Sequence, residues 1–260
     1  MNTRRFNCLS VAQRLIGCLA LVLSACNEPA TQEARTGVPV EHITPTPDQQ
    51  ARRARSEAYC RARGVPLYHN PDALFTDSEA ATRIRTPDEV VDRALALCFI
   101  GLKSEGLSPA RLAAMDRAYH ISSKLSPLER AYVEAAQPTR QQRLDANWRY
   151  EGLHVLLWAL GYADTLDYPD HLCNVAHDAA IIHDLSERQF RTRARLRSKR
   201  ELLDQADLVL RLDWACNEAR VTQQPVAGNL NPEVVVERHH ALNWLIGYLD
   251  QAWDDVSTDT

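Results

Sequence analysis

A capping side chain followed at once by proline occurs at Thr46-Pro47, Thr86-Pro87, Ser108-Pro109, Ser126-Pro127 and Asn231-Pro232. Each reads as a helix start, because the side-chain oxygen takes up an orphan amide of the first turn and proline has no N–H to lose there. Several starts add a reciprocal acceptor at the third helical position: Gln49 after Thr46, Glu89 after Thr86, Glu129 after Ser126, Gln142 after Thr139 and Glu201 after Ser198. These capping boxes predict helices over 47–63, 87–104, 109–120, 127–137, 140–162, 171–185, 199–218 and 232–251. Strand signal is sparse. In Arg191 to Arg197, arginine alternates with Thr192, Ala194 and Leu196 at period two, which predicts a short β ribbon or extended edge within 188–197. The fold class is therefore all-α, a mainly helical single domain.

One local echo accompanies the helix starts. Ile84-Arg85-Thr86 with Glu89-Val90-Val91-Asp92 matches Leu196-Arg197-Ser198 with Glu201-Leu202-Leu203-Asp204. Much of that match is helix-start grammar, and it reads as a reused device, with the arginine before each cap serving as an anchor at the core edge.

The N-terminus sets the compartment. Arg4, Arg5 and Arg14 precede a short apolar run, Leu15 to Leu23, that ends in Ser24-Ala25-Cys26. A run this short cannot cross about 30 Å of hydrocarbon as a helix, and small residues before a cleavage point mark an export signal. Leu23-Ser24-Ala25-Cys26 resembles the bacterial lipobox, which implies a signal peptide over 1–25 and a diacylglyceryl group on Cys26. Several acyl chains make a stable anchor where one alone is marginal. Asn27 is not the aspartate that retains such lipoproteins at the inner membrane, so the expected place is the outer membrane, facing the periplasm. Residues 26–47 carry Pro29, Pro39, Pro45 and Pro47 and few large apolar side chains, which is a flexible tether. Residues 48–260 then form one helical domain.

Losing Arg4, Arg5 and Arg14 takes the formal charge from −4 to −7, which disfavours nucleic acid as a partner. The mature chain keeps Cys60, Cys98, Cys173 and Cys216 besides Cys26. Four cysteines permit three pairings, and in an oxidising envelope one disulfide is possible and none is required, since Cys98 and Cys216 sit on apolar helix stripes where a free thiol is a small hydrophobe.

No Gly-x-Ser-x-Gly, phosphate-cradling glycine loop or His-Glu-x-x-His is present. If residues 171–185 were helical throughout, Cys173, His177 and Asp184 would share a face as three metal ligands. The reading preferred is packing for the cysteine and histidine, with His171, Asp178 and Asp184 in solvent, so no metal and no cofactor is assigned. The adjacent pair His239-His240 points about 100° apart on a helix and cannot chelate one ion alone. The basic run holding Arg191, Arg193, Arg195 and Arg197 could bind a polyanion, the alternative being neutralisation by acidic helices of the same domain. The ending Trp253-Asp254-Asp255 reads as a docked indole with solvated carboxylates.

Glu151 lies on a helix that is apolar nearly all round, and Arg238 falls in the middle of the face made by Val234, Ala241, Leu242, Leu245 and Leu249. Both should be buried, and a lone buried charge is costly. Glu151 is accordingly expected to pair with an arginine, Arg238 first and Arg211 second, Arg211 having a competing partner in Asp207 one turn before it.

The aromatic pattern Trp148-Arg149-Tyr150-Glu151, Leu156-Leu157-Trp158-Ala159-Leu160-Gly161, Arg211-Leu212-Asp213-Trp214-Ala215 and Ala241-Leu242-Asn243-Trp244, with the Trp253-Asp254-Asp255 ending, resembles a bacterial family known as a domain of unknown function, DUF4272. The resemblance covers about Arg52 to Thr260. It implies one domain and supplies no catalytic residues, and the lipoprotein form departs from the family's usual one.

The functional expectation is an envelope-tethered, non-enzymatic module, held to the lipid bilayer through acylated Cys26, that binds a protein or polyanionic partner; an immunity-type neutraliser of a toxin is one version. The alternative is an envelope enzyme whose site is built from buried groups among the tryptophans, with Glu151, Arg211, Arg238, His154 and His240 as candidates. A cleft uniting those charged residues with His154 or His240 would favour the enzyme, and a dry core with an exposed apolar patch the binder.

Overall fold

The expected capping boxes form, and they set the frame. At Thr86 the Glu89 amide donates to the threonine Oγ1 at 3.3 Å while the Thr86 amide donates to Glu89 Oε2 at 2.7 Å. Boxes are also present at Thr46, Ser126, Thr139 and Ser198. The computed structural model describes residues 43–260. The signal peptide over 1–25, Cys26 and the tether as far as residue 42 lie outside the described residues.

Nine α-helices and no strand occur among the described residues: α1 Pro47–Ala62, α2 Pro87–Ser104, α3 Pro109–Tyr119, α4 Pro127–Glu134, α5 Arg140–Ala159, α6 Val175–His183, α7 Glu187–Arg193, α8 Lys199–Thr222 and α9 Pro232–Leu245. The protein is thus all-α. No helix among the described residues is long and apolar enough to cross a membrane. α5 is central, packing against both α2 and α9, with α8 against α9 and α1 against α8. Its Leu153, Val155, Leu156 and Leu157 are fully buried. α2 comes so close to α5 that a Cβ on Gly101 would sit inside contact distance of the Tyr150 ring, which is why that helical position carries glycine.

Three expectations are corrected. The ribbon within 188–197 is absent: residues 187–193 are α7, opened by a sixth capping box, Ser186 with Gln189. The period-two signal has a different cause, since residues 194–198 run extended and the amides of Arg195 and Arg197, two apart, donate to the Leu160 and Ala159 carbonyls at the end of α5 at 2.8 and 2.9 Å. The helix expected over 171–185 starts only at Val175, because Asn174 takes the cap and accepts from the His177 amide. The helix expected over 232–251 stops at Leu245, where Gly247 turns left-handed at φ 68°, and Leu249 is 67% exposed and leaves the core face assigned to it.

The local echo proves wider than a helix start. Glu151-x-x-His154-x-Leu156-x-Trp158-x-x-Gly161-Tyr162 recurs as Glu237-x-x-His240-x-Leu242-x-Trp244-x-x-Gly247-Tyr248. The two arginine anchors seat on the two tryptophan ends, and they do so crosswise. Arg85, before α2, donates its amide to Leu245 O at 3.0 Å and its Nε to Trp244 O at 3.2 Å, with the guanidinium 5.3 Å from the Trp244 ring centre. Arg197, before α8, donates its amide to Ala159 O at 2.9 Å and its Nε to Trp158 O at 2.9 Å, with the guanidinium 4.9 Å from the Trp158 ring centre. The start of α2 therefore closes the end of α9, and the start of α8 closes the end of α5. Each closure needs glycine: a Cβ on Gly247 would lie 2.5 Å from Arg83 O, and one on Gly161 3.1 Å from Arg195 O.

Candidate functional site

α5 places Glu151 and His154 one turn apart, and each is met by a charge from another helix. The Glu151 carboxylate accepts from Arg238 Nε of α9 at 3.1 Å, both side chains being 2% exposed. The pairing expected from helical angles is present. The other oxygen, Oε1, accepts from the Cys173 amide at 2.6 Å, and Arg238 Nη1 donates to the Asp167 carbonyl at 2.5 Å. One buried ion pair thereby staples both ends of the 167–173 segment to the core.

That segment walls a cleft of about 620 Å³, within the usual size of small-ligand pockets. His154, Thr165, Asp167, His177, Asp178 and Arg238 are among the residues that line it. On its inner side His154 Nδ1 lies 2.9 Å from Asp178 Oδ2 of α6, with the carboxylate side chain 1% exposed and the histidine 13%. A carboxylate that accepts from Nδ1–H fixes the tautomer and leaves the lone pair on Nε2, the arrangement that makes an imidazole a proton acceptor. The second Asp178 oxygen, Oδ1, is buried with no hydrogen-bond partner, 3.5 Å from Nδ1 of the exposed His177.

Asp178 was expected in solvent and is instead fully buried. The signal for it lay in Ile182, one turn on along the same helix face and also buried, which marks that face as inward. Cys173 precedes α6, so Cys173, His177 and Asp184 do not share a helix face. Among the described residues no group of three or more histidine, cysteine or acidic side chains is placed to hold a metal ion. Burial, reinforced by the Glu151 charge, pushes the Cys173 thiol well above its ordinary range and keeps it protonated, which removes it as a thiolate nucleophile. Cys60, Cys98, Cys173 and Cys216 are all free thiols.

The remaining candidates lie elsewhere. Arg211 takes its near neighbour: Nε and Nη2 donate to both Asp207 oxygens at 3.1 and 2.9 Å, and Nη2 also reaches the Leu74 carbonyl at 3.0 Å. His240, the counterpart of His154 in the repeated motif, is closed over by Trp253, whose ring centre lies 4.6 Å away. Burial lowers its pKa to about 4, and its Nε2 is buried without a partner. In the basic run, Arg191 meets Asp88, Asp92 and Glu187 at 2.8, 2.6 and 2.9 Å, and Arg197 is committed to the end of α5. Arg195 donates to the Thr192 and Ala194 carbonyls, and Arg193 is exposed at the end of α7. Asp254 is not a free carboxylate: it accepts from Ser126 Oγ at 2.6 Å and from the Leu128 amide at 2.9 Å, so the chain end caps α4.

A helical domain with a polar cleft, a histidine–aspartate pair on its inner side and an ion pair holding its wall is the class that fold and site define. The chain belongs to the DUF4272 family, a domain of unknown function, which matches residues 52–256. No curated protein and no solved structure matches it.

Proposed function

We propose that the domain binds a small polar ligand in the His154 cleft and that His154 takes up or delivers a proton there, making the protein an acid–base enzyme of the cell envelope. The observation that carries this reading is the His154–Asp178 pair, 2.9 Å apart on the inner side of a ligand-sized cleft. Glu151 has both carboxylate oxygens engaged and Arg238 holds the cleft wall, so these two are positioning residues. The reading also includes the anchor: acylation at Cys26 would tether the domain at the outer membrane, facing the periplasm. A non-enzymatic binder of polyanions draws less support, because Arg191 and Arg197 of its basic run are engaged within the domain.

Labelled fatty acid should enter the wild type and not Cys26→Ser; equal labelling of both would remove the anchor. For the cleft, the unacylated Cys26→Ser full chain is titrated with a library of small polar fragments while the histidine ring signals are followed by NMR. Some fragments should shift the His154 ring saturably, with a pH dependence that His154→Gln abolishes and Asp178→Asn alters. If no fragment moves that ring, or if His154→Gln binds the same fragments equally well at every pH, the reading fails.

A further inference from the structure

A second concavity, of about 730 Å³, lies away from the polar cleft and has the opposite character. Its floor is Cys98 and Leu102 of α2, and its sides are α3 and α6, where small residues such as Ala114, Ala118, Ala176 and Ala180 leave the space open. α3 contributes no buried residue at all, although it carries Leu112, Met115 and Tyr119. All three pack against the core while staying only partly buried, and Met115 and Tyr119 also line the groove.

The groove has a closed end and a charged one. The Tyr119 hydroxyl donates to the Ile182 and Leu185 carbonyls at 3.0 and 2.9 Å, tying the C-terminal ends of α3 and α6 together. Arg111 lines the groove about two turns earlier, in the first turn of α3. There a cation opposes the helix dipole, and Arg111, an exposed residue, makes no ion pair among the described residues. The cap residue of the same helix, Ser108, makes no side-chain cap bond. An unpaired guanidinium beside uncapped amides suits an anionic group, and the aliphatic lining beyond it suits a hydrocarbon chain.

We infer that this groove binds a single-chain anionic amphiphile, its carboxylate or phosphate head at Arg111 and its tail running under Met115 toward Tyr119. The inference is independent of the His154 cleft. Binding would cover the parts of Met115 and Tyr119 that the core leaves open and offset the charge of Arg111.

Met115 makes the test direct, since the chain has two methionines, Met1 and Met115, and the second lines the groove. The Cys26→Ser full chain is prepared with isotope-labelled methionine methyl groups, and the Met115 signal is assigned with Met115→Leu. Dodecanoate, dodecanol and dodecyltrimethylammonium are then titrated below their micelle thresholds. Dodecanoate should shift the Met115 methyl saturably and bind most tightly. Arg111→Gln should weaken dodecanoate about tenfold, as loss of one charge-assisted contact does, and leave dodecanol unchanged. Ala180→Phe alters an exposed position, so the fold should persist while the filled groove binds none of the three. Absence of a saturable shift, or dodecanoate binding that survives Ala180→Phe, overturns the inference. So does a head-group series in which the three tails bind alike and Arg111→Gln is silent. A Met115 shift that grows with protein concentration before any amphiphile is added would assign the groove to a second copy of the chain and overturn it as well.

Discussion

Replacing Arg238 with methionine removes a guanidinium that makes a 3.1 Å bond to Glu151 and a 2.5 Å bond to the Asp167 carbonyl, with both ionic side chains 2% exposed. Because solvent does not reach the pair, the discount that applies to surface ion pairs does not apply here. Stranding one member of a buried pair costs about 3 to 5 kcal/mol, and the Asp167 carbonyl left unmet falls within that figure. With a urea dependence of roughly 2 to 3 kcal/mol per molar, the unfolding midpoint should fall by between about one and two and a half molar. Glu151→Gln should cost a similar amount by stranding Arg238, while its amide oxygen can still accept from the Cys173 N–H. The double variant is the decisive one: with neither charge present, most of the loss should return, giving a coupling of a few kcal/mol. As an internal control, Arg61→Met breaks a pair with Glu57 in which the arginine is 61% exposed, and it should cost less than about 1 kcal/mol. Amide exchange at Cys173 should also quicken in Arg238→Met, since the staple on the cleft wall is gone. Single losses below about 1 kcal/mol, or singles that add with no coupling, would refute the account of Glu151 and Arg238 as one buried unit.

Two further outcomes follow from other residues. Burial holds His240 at a pKa of about 4, below its ordinary 6.5, so the unfolded chain binds the proton more readily; this contribution is complete above about pH 6.5 and is lost as pH falls toward 4, amounting to about 3 kcal/mol. Urea unfolding at several pH values should show that slope in the wild type and a shallower one in His240→Phe, and identical slopes would rule His240 out as its source. Arg197→Lys keeps the charge but cannot reach Trp158 O, Ala163 O and Asp164 O with one planar fork. It should cost about 1 to 3 kcal/mol, with Arg85→Lys losing a comparable amount through Trp244 O and Gln251 O; thermal unfolding in which either lysine variant matches the wild type would break the equivalence of the two closures.

How much was legible depends on the range of the forces involved. Helix starts are decided within four residues, by a side-chain oxygen and the amide three positions on, so Thr86, Ser126, Thr139 and Ser198 declare themselves in one dimension. α7 could have been read the same way from Ser186 and Gln189, but the alternating arginines carried more weight. The Glu151–Arg238 pair was also within reach, because a charge in the middle of an apolar helix face must find a partner wherever it is buried. Helix ends were harder: the stop at Leu245 depends on Gly247 receiving Arg83 from a distant segment, and a glycine alone does not say what will approach it.

The tertiary structure alone decided which of two similar stretches became a cleft. Glu151 to Tyr162 and Glu237 to Tyr248 carry the same motif, yet His154 lines a polar opening beside Asp178 while His240 is shut in by Trp253. The shared motif residues do not distinguish them. The difference is supplied by what packs on each, α6 with its buried carboxylate over one and the C-terminal turn over the other, and those neighbours are brought together only by burial of the whole apolar surface. Hydrophobic burial is proportional to area and carries no direction, so a short segment cannot encode which partner will cover it.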